Sequence, residues 1–97
     1  MSTVIVHLAP GRGPVGVWRT AGSEVECYYP AGYTAEHDTA AALMHARGND
    51  VPWPAWFTRL AERASYSATF TIVEADPALS LPSILSSMRM NWNAARH

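Results

Sequence analysis

Several residue types are rare or missing in this sequence. It has no lysine, because all seven of its cations are arginines, and its single cysteine is Cys27. One cysteine cannot close a disulfide within the chain or supply a multi-cysteine zinc site. No apolar stretch approaches the roughly 20 residues that a helix needs to cross a bilayer. We therefore expect neither a disulfide scaffold, a cysteine-rich zinc domain nor a membrane-spanning protein.

Charge is also scarce, whereas apolar residues are abundant. Charged residues make up 15% of the chain, the formal net charge is -1, and apolar residues account for 48%. A disordered chain has the opposite composition, and 97 residues are enough to bury one hydrophobic core. The composition therefore predicts a single domain over residues 1–97.

The composition also indicates a setting for the protein. Arginine without lysine, together with much alanine, is typical of a GC-rich bacterial or phage genome. Met1 to Pro10 has neither the positively charged start nor the small-residue cleavage pattern of a signal peptide. We therefore expect a cytoplasmic protein of bacterial or phage origin.

Three segments in the first third of the chain have the pattern of β-strands. Thr3 to Leu8 is rich in β-branched residues, Val15 to Thr20 alternates loosely, and Glu24 to Tyr29 has the character of a half-buried strand. Turn-forming residues at Pro10 to Pro14 and at Ala21 to Ser23 separate them. Short connections favour neighbouring strands, so we predict an antiparallel meander.

Two helices and a fourth strand are predicted next. Thr34 is a suitable cap for a helix over Ala35 to Arg47. A second helix begins at Pro54, just after Trp53, because the following apolar residues recur every three or four positions. Tyr66 to Glu74 then alternates between apolar and hydroxyl-bearing residues, which predicts a strand.

The last predicted helix begins at Ser80 and carries an apolar stripe. The stripe consists of Leu81, Ile84, Leu85, Met88, Trp92 and Ala95. The predicted order of elements is therefore βββααβα, which belongs to an α+β domain. We expect an antiparallel four-stranded sheet with about three helices packed on one face.

No reactive side chains have the spacing of a catalytic or metal site. His37 and His45 are eight residues apart, which is not the i, i+4 spacing of a helical zinc pair. Cys27 follows Glu26, whose negative charge disfavours a thiolate, and His7 reaches Cys27 only if their strands are neighbours. We therefore predict no catalytic residues, no metal site and no cofactor.

Two other patterns have no chemical role in this interpretation. Gly11 to Pro14 contains glycines, but a strand follows them, not the helix that a phosphate-binding loop requires. Glu24 and Glu26 share one face of a strand without the pocket that an acid and base pair needs. We interpret the first as a hairpin loop and the second as a polar outer face.

Nucleic-acid binding, or a small regulatory role, is the second hypothesis. Aromatic rings stack on bases and guanidinium groups contact phosphates, and this chain has arginines close to aromatic residues. However, seven arginines are balanced by eight carboxylates, so the chain has no overall positive field. A local patch formed by Arg12, Arg19, Arg89 and Arg96 would favour this hypothesis.

Protein binding is the first hypothesis. Tryptophan, tyrosine, methionine and arginine are enriched at the centres of protein interfaces. The predicted partner-binding residues are Trp18, Arg19, Arg89, Met90, Trp92 and Arg96. Met90 points away from the apolar stripe, whereas the register of its strand decides whether Trp18 is buried or exposed. A structural last helix with a frayed end is the alternative.

The sequence therefore predicts a small non-catalytic module that binds another protein or a second copy of itself. In a bacterial or phage genome, a short protein without motifs is often an accessory factor or an inhibitor of a host protein.

Overall fold

A computed structural model of the chain describes residues 2–21, 24–44, 59 and 70–95. The elements are β1 (Ser2–Ala9), β2 (Gly13–Ala21), β3 (Glu24–Tyr28), α1 (Thr34–Met44), β4 (Phe70–Ala75) and α2 (Leu81–Ala95). The strands form one antiparallel sheet in the order β3-β2-β1-β4. The predicted α+β class, the four antiparallel strands and the meander of the first three are confirmed.

Strand β1 lies inside the sheet because its residues are apolar on both sides. Val4, Ile5 and Val6 are all buried, although consecutive side chains of a strand point to opposite faces. β1 pairs with β2 on one edge and with β4 on the other, so the last strand in sequence lies beside the first. Both faces of the sheet therefore need a cover.

The two helices α1 and α2 provide this cover from opposite faces. On one face, Ile5 and its cross-strand partner Trp18 pack with Ala40 of α1. On the other face, α2 packs on the alternate residues of the strands. That cluster contains Val4, Val6, Val17, Leu81, Ile84 and Leu85. The prediction that all helices pack on one face was therefore wrong, because the apolar run of β1 supplies buried side chains to both.

Helix α2 begins as the sequence predicts. The hydroxyl of Ser80 accepts a hydrogen bond from the backbone N–H of Ser83 at 3.3 Å, and its carbonyl accepts one from Ile84 at 3.0 Å. A single turn precedes this cap, closed by Asp76, whose carboxylate accepts the Ala78 N–H at 2.9 Å. The turn leads the chain from β4 directly onto the sheet face that α2 covers.

Parts of two predicted helices fall outside the described residues. Helix α1 is described as far as Met44, so the predicted end at Arg47 lies beyond it. Of the helix predicted from Pro54, only Arg59 is described, and it is helical and exposed. The first part of the predicted fourth strand, residues 66–69, also lies outside. Among the described residues, no helix combines the length and apolar character that a bilayer crossing requires.

Candidate protein-binding surface

Trp18 lies in the core, where only 4% of it is exposed. Its Nε1–H donates a hydrogen bond to the hydroxyl of Tyr29 at 2.8 Å, and its ring stacks on that of His37 at 6.2 Å between centroids. The register of β2 therefore turns this side chain towards α1. Trp18 is a buried core residue of this fold and does not present a surface to a partner.

Arg19 is engaged by groups of its own chain. Its Nε–H donates to the carboxylate of Glu26 on the neighbouring strand, and its Nη1 donates to the carbonyl of Leu79 at 2.7 Å. Arg19 lies near the end of β2, whereas Arg12 directly precedes its first residue. Arg12 and Arg19 are therefore at opposite ends of a nine-residue strand and do not form one patch.

Arg12 and Arg89 converge on a residue that the sequence analysis did not select, Tyr33. The guanidinium carbon of Arg12 lies 5.9 Å from the centroid of the Tyr33 ring, and that of Arg89 lies 5.7 Å from it. Both distances are within the range of a cation–π contact. The hairpin loop, the start of α1 and the middle of α2 therefore meet at one aromatic ring.

Met90 is the most exposed of the large apolar side chains in the described part of the chain. It is 72% exposed, whereas Leu81, Ile84 and Leu85 of the same helix are buried against the sheet. This difference follows from helical geometry, because Met90 lies outside the i, i+3, i+4 stripe that contacts the core. The outer side of α2 therefore carries an exposed apolar side chain, about 100° around the helix from its sequence neighbour Arg89.

Trp92 supports the hairpin. Its indole lies where a Cβ of Gly13 would be, with ring atoms 2.6 Å from that position, and Gly13 has a φ of +78°. The indole nitrogen is buried and has no hydrogen-bond partner among the described residues. Trp92 is therefore half-buried and packs against the hairpin. Arg96, the sixth predicted partner-binding residue, lies outside the described residues.

A polar cluster lies beneath α1, inside the protein. The Tyr29 hydroxyl lies 2.7 Å from Nδ1 of His7 and also accepts the Trp18 indole N–H. An arrangement that uses every donor has the Tyr29 O–H donating to a neutral His7 ring. Burial lowers the pKa of His7 against the raising effect of Glu36, and burial also raises the pKa of Tyr29.

Gly16 makes this cluster possible. It lies between His7 on β1 and the residue that follows β3, and the Tyr29 ring occupies the space of its missing side chain. Burial raises the pKa of the nearby Cys27 thiol, which disfavours the thiolate that a nucleophile or metal ligand requires. Nothing in the sequence pattern marked Gly16 or Tyr29, because their contact depends on the alignment of β2 with β3.

His7 should make the stability of the protein sensitive to acid. Its folded-state pKa lies below the usual value of 6.5, so the unfolded chain binds a proton more readily. The contribution is fully present above pH 6.5 and is lost as the pH falls through the lowered folded-state pKa. One proton gives a limiting slope of about 1.4 kcal/mol per pH unit.

Denaturant unfolding between pH 7.5 and 5 measures this effect. We expect the free energy of unfolding to fall on acidification, and to fall less in His7→Asn, whose carbonyl still accepts the Tyr29 hydroxyl but does not titrate. Equal acid dependence in both proteins would show that other groups control it. Within the described part of the chain, Glu36, His37 and Cys27 are the other titratable groups around this cluster.

An open groove lies between β4 and α2. It has a volume of about 480 Å³ and is lined mainly by apolar atoms. Its lining residues are Val73, Glu74, Ala75, Asp76, Leu79, Ser83, Ile84, Ser87 and Met88. Among the described residues, no three histidine, cysteine or acidic side chains are placed to hold a metal ion. The mainly apolar lining makes the groove a surface for packing contacts.

The fold and surface define an α+β domain in which α1 and α2 cover opposite faces of an antiparallel sheet. Comparison with protein-family models, with curated proteins and with solved structures finds no match.

Proposed function

We propose that this protein is a small non-catalytic module that binds another protein through the outer side of α2. The contact surface consists of Arg12, Tyr33, Arg89 and Met90 and is called the α2 surface below. The exposure of Met90, at 72%, is the observation that carries the proposal. In the cytoplasm of a bacterium, encoded by the bacterium or by a phage, such a module would serve as an accessory factor or as an inhibitor of a host protein.

The composition of the α2 surface supports this function. Methionine adapts its shape to different partners, and arginine and tyrosine are among the residues that contribute most to binding free energy. Tyr33 is half-buried, and its backbone is fixed at the start of α1, since its carbonyl accepts the His37 N–H at 3.0 Å.

Nucleic-acid binding is the second candidate, because Arg12 and Arg89 do meet at an aromatic ring. Of the four arginines that would form a patch, however, Arg19 is bound to Glu26 and Leu79 elsewhere. Glu36 lies 3.8 Å from Arg12 and repels a continuous line of phosphates. The local field therefore favours an anion of small extent over a polyanionic backbone.

Capture from a lysate of the native host tests the proposal. The bait proteins are the wild type, Met90→Asp, and Arg59→Asp as a control at another exposed helical position. We expect one or a few proteins to bind the wild type and Arg59→Asp, and to be depleted at least tenfold on Met90→Asp. Retention of every captured protein by Met90→Asp would contradict the proposal.

Two further measurements distinguish the alternatives. Light scattering at several concentrations shows whether the partner is a second copy, in which case Met90→Asp should be monomeric where the wild type is not. Binding of duplex and single-stranded DNA at two salt concentrations tests the nucleic-acid candidate, because phosphate contacts weaken steeply as salt rises. Salt-dependent DNA binding that survives in Met90→Asp would favour the second candidate.

A further inference from the structure

The arginines of the α2 surface have more positive charge than their surroundings neutralise. Arg12 and Arg89 each lie within 6 Å of the centroid of the Tyr33 ring, so two like charges contact one aromatic side chain. Among the described residues, Glu36 is the only carboxylate at ion-pair distance from either of them, 3.8 Å from Arg12. Arg89 has no such partner in that part of the chain. A further anion at this position would reduce the repulsion.

The guanidinium groups of Arg12 and Arg89 also have N–H donors available for hydrogen bonds to a ligand. Among the described residues, neither guanidinium group donates a hydrogen bond, so the N–H groups along their edges are available. The 3.8 Å separation between Arg12 and Glu36 is longer than a hydrogen bond, so this ion pair does not occupy the donors of Arg12. Carboxylates match the edge of a guanidinium with two parallel hydrogen bonds.

The surroundings of the arginines select among anions. Glu36 of α1 lies 3.8 Å from Arg12 and disfavours a ligand with several negative charges. Met90 follows Arg89 directly and offers an apolar contact at 72% exposure. One carboxylate beside an apolar side chain satisfies both features, and a peptide segment supplies that combination.

We propose that Arg12, Tyr33 and Arg89 form a subsite for a carboxylate of the partner protein, on a segment where an acidic residue neighbours an apolar one. This inference rests on the proposed function and adds the chemistry of the partner to it. The carboxylate accepts hydrogen bonds from the guanidinium edges at Tyr33, and an apolar side chain of the same segment contacts Met90.

Two short peptides that differ in one charge test the subsite. N-acetyl-Leu-Glu-Leu-amide and N-acetyl-Leu-Gln-Leu-amide are titrated into the full-length protein, and the NMR signals of the arginine Nε–H groups and the Met90 methyl are followed. We expect the acidic peptide to bind at least fivefold more tightly, with saturable shifts at Arg89 and Met90. Arg89→Gln should weaken it about tenfold.

Arg59→Gln is the matched control, since Arg59 is also helical and exposed. It should leave the affinity for the acidic peptide unchanged, and Arg12→Gln should weaken binding as Arg89→Gln does. Thermal melting of each variant checks that the fold persists, and Arg89→Lys tests whether charge without a flat guanidinium suffices. Equal affinity for the two peptides, or equal losses in Arg59→Gln and Arg89→Gln, would overturn the subsite.

A single-stranded oligothymidine is titrated in parallel. If it binds more tightly than the acidic peptide and depends on Arg89, the subsite belongs to nucleic acid and the peptide proposal is wrong. Failure of the subsite remains distinct from failure of the proposed function. If Met90→Asp fails to capture a protein that the wild type captures, but the two peptides bind equally, only the carboxylate subsite is rejected. The α2 surface then remains the proposed binding site.

Discussion

Gly16→Ala is expected to lower the free energy of unfolding by about 3 kcal/mol. The backbone of Gly16 needs no unusual φ, so the effect comes from the new methyl group, which would occupy space now filled by the Tyr29 ring. Displacing the ring breaks its hydrogen bonds to Trp18 and His7 and leaves buried polar groups without partners. Urea or guanidinium unfolding measures the change.

A double-mutant cycle isolates the contact between Gly16 and Tyr29. In a Tyr29→Leu background the hydroxyl is absent and the side chain is smaller, so Gly16→Ala should cost about 1 kcal/mol or less there. The resulting coupling of about 2 kcal/mol is the signature of displacement of the ring. Equal costs in both backgrounds would mean that the alanine disturbs the sheet by another route.

Gly13→Ala is expected to destabilise the protein by about 3 kcal/mol, whereas Gly11→Ala should cost about 1 to 2 kcal/mol. Both glycines have positive φ, +78° and +75°, so both substitutions carry the same backbone strain. They differ in their surroundings, because a Cβ on Gly13 meets the Trp92 indole at 2.6 Å and one on Gly11 meets no heavy atom within 4 Å. Gly11 is therefore a matched control.

The difference in destabilisation between Gly13→Ala and Gly11→Ala measures the contribution of the packing of Trp92 of α2 against the hairpin. In a Trp92→Ala background, Gly13→Ala should cost no more than Gly11→Ala, because only the strain of the left-handed backbone is left. If the excess cost of Gly13→Ala persisted without the indole, Trp92 would not be the neighbour that matters. Thermal or chemical unfolding of the two double variants decides between these results.

The secondary structure could be predicted largely from local patterns. The β-branched run of β1, the glycine-containing turn after it and the cap at Ser80 are local signals, and each appears in the structure at or within a few residues of its expected position. The arrangement of the helices could not be predicted in the same way. α1 contributes Ala40 to the core, and an alanine-rich helix does not reveal which sheet face it will cover.

Only part of the candidate binding surface could be predicted from the sequence, for the same reason. Met90 could be selected because its position falls outside the apolar stripe of its own helix. The meeting of Arg12 and Arg89 at Tyr33 joins residues from three distant parts of the chain, and no local pattern encodes it. Whether Trp18 is buried or exposed depends on the register of β2, and the pairing of β2 with β1 and β3 sets that register.

Site-specific photo-cross-linking tests the central claim, that the α2 surface contacts another protein. A photoreactive amino acid is placed at position 90 and, as a control, at the exposed helical position 59, and both proteins are irradiated in cells of the native host. We expect a discrete, nuclease-resistant adduct of higher mass from position 90 that position 59 does not give. An adduct removed by nuclease, the same adducts from both positions, or none from position 90 would contradict it.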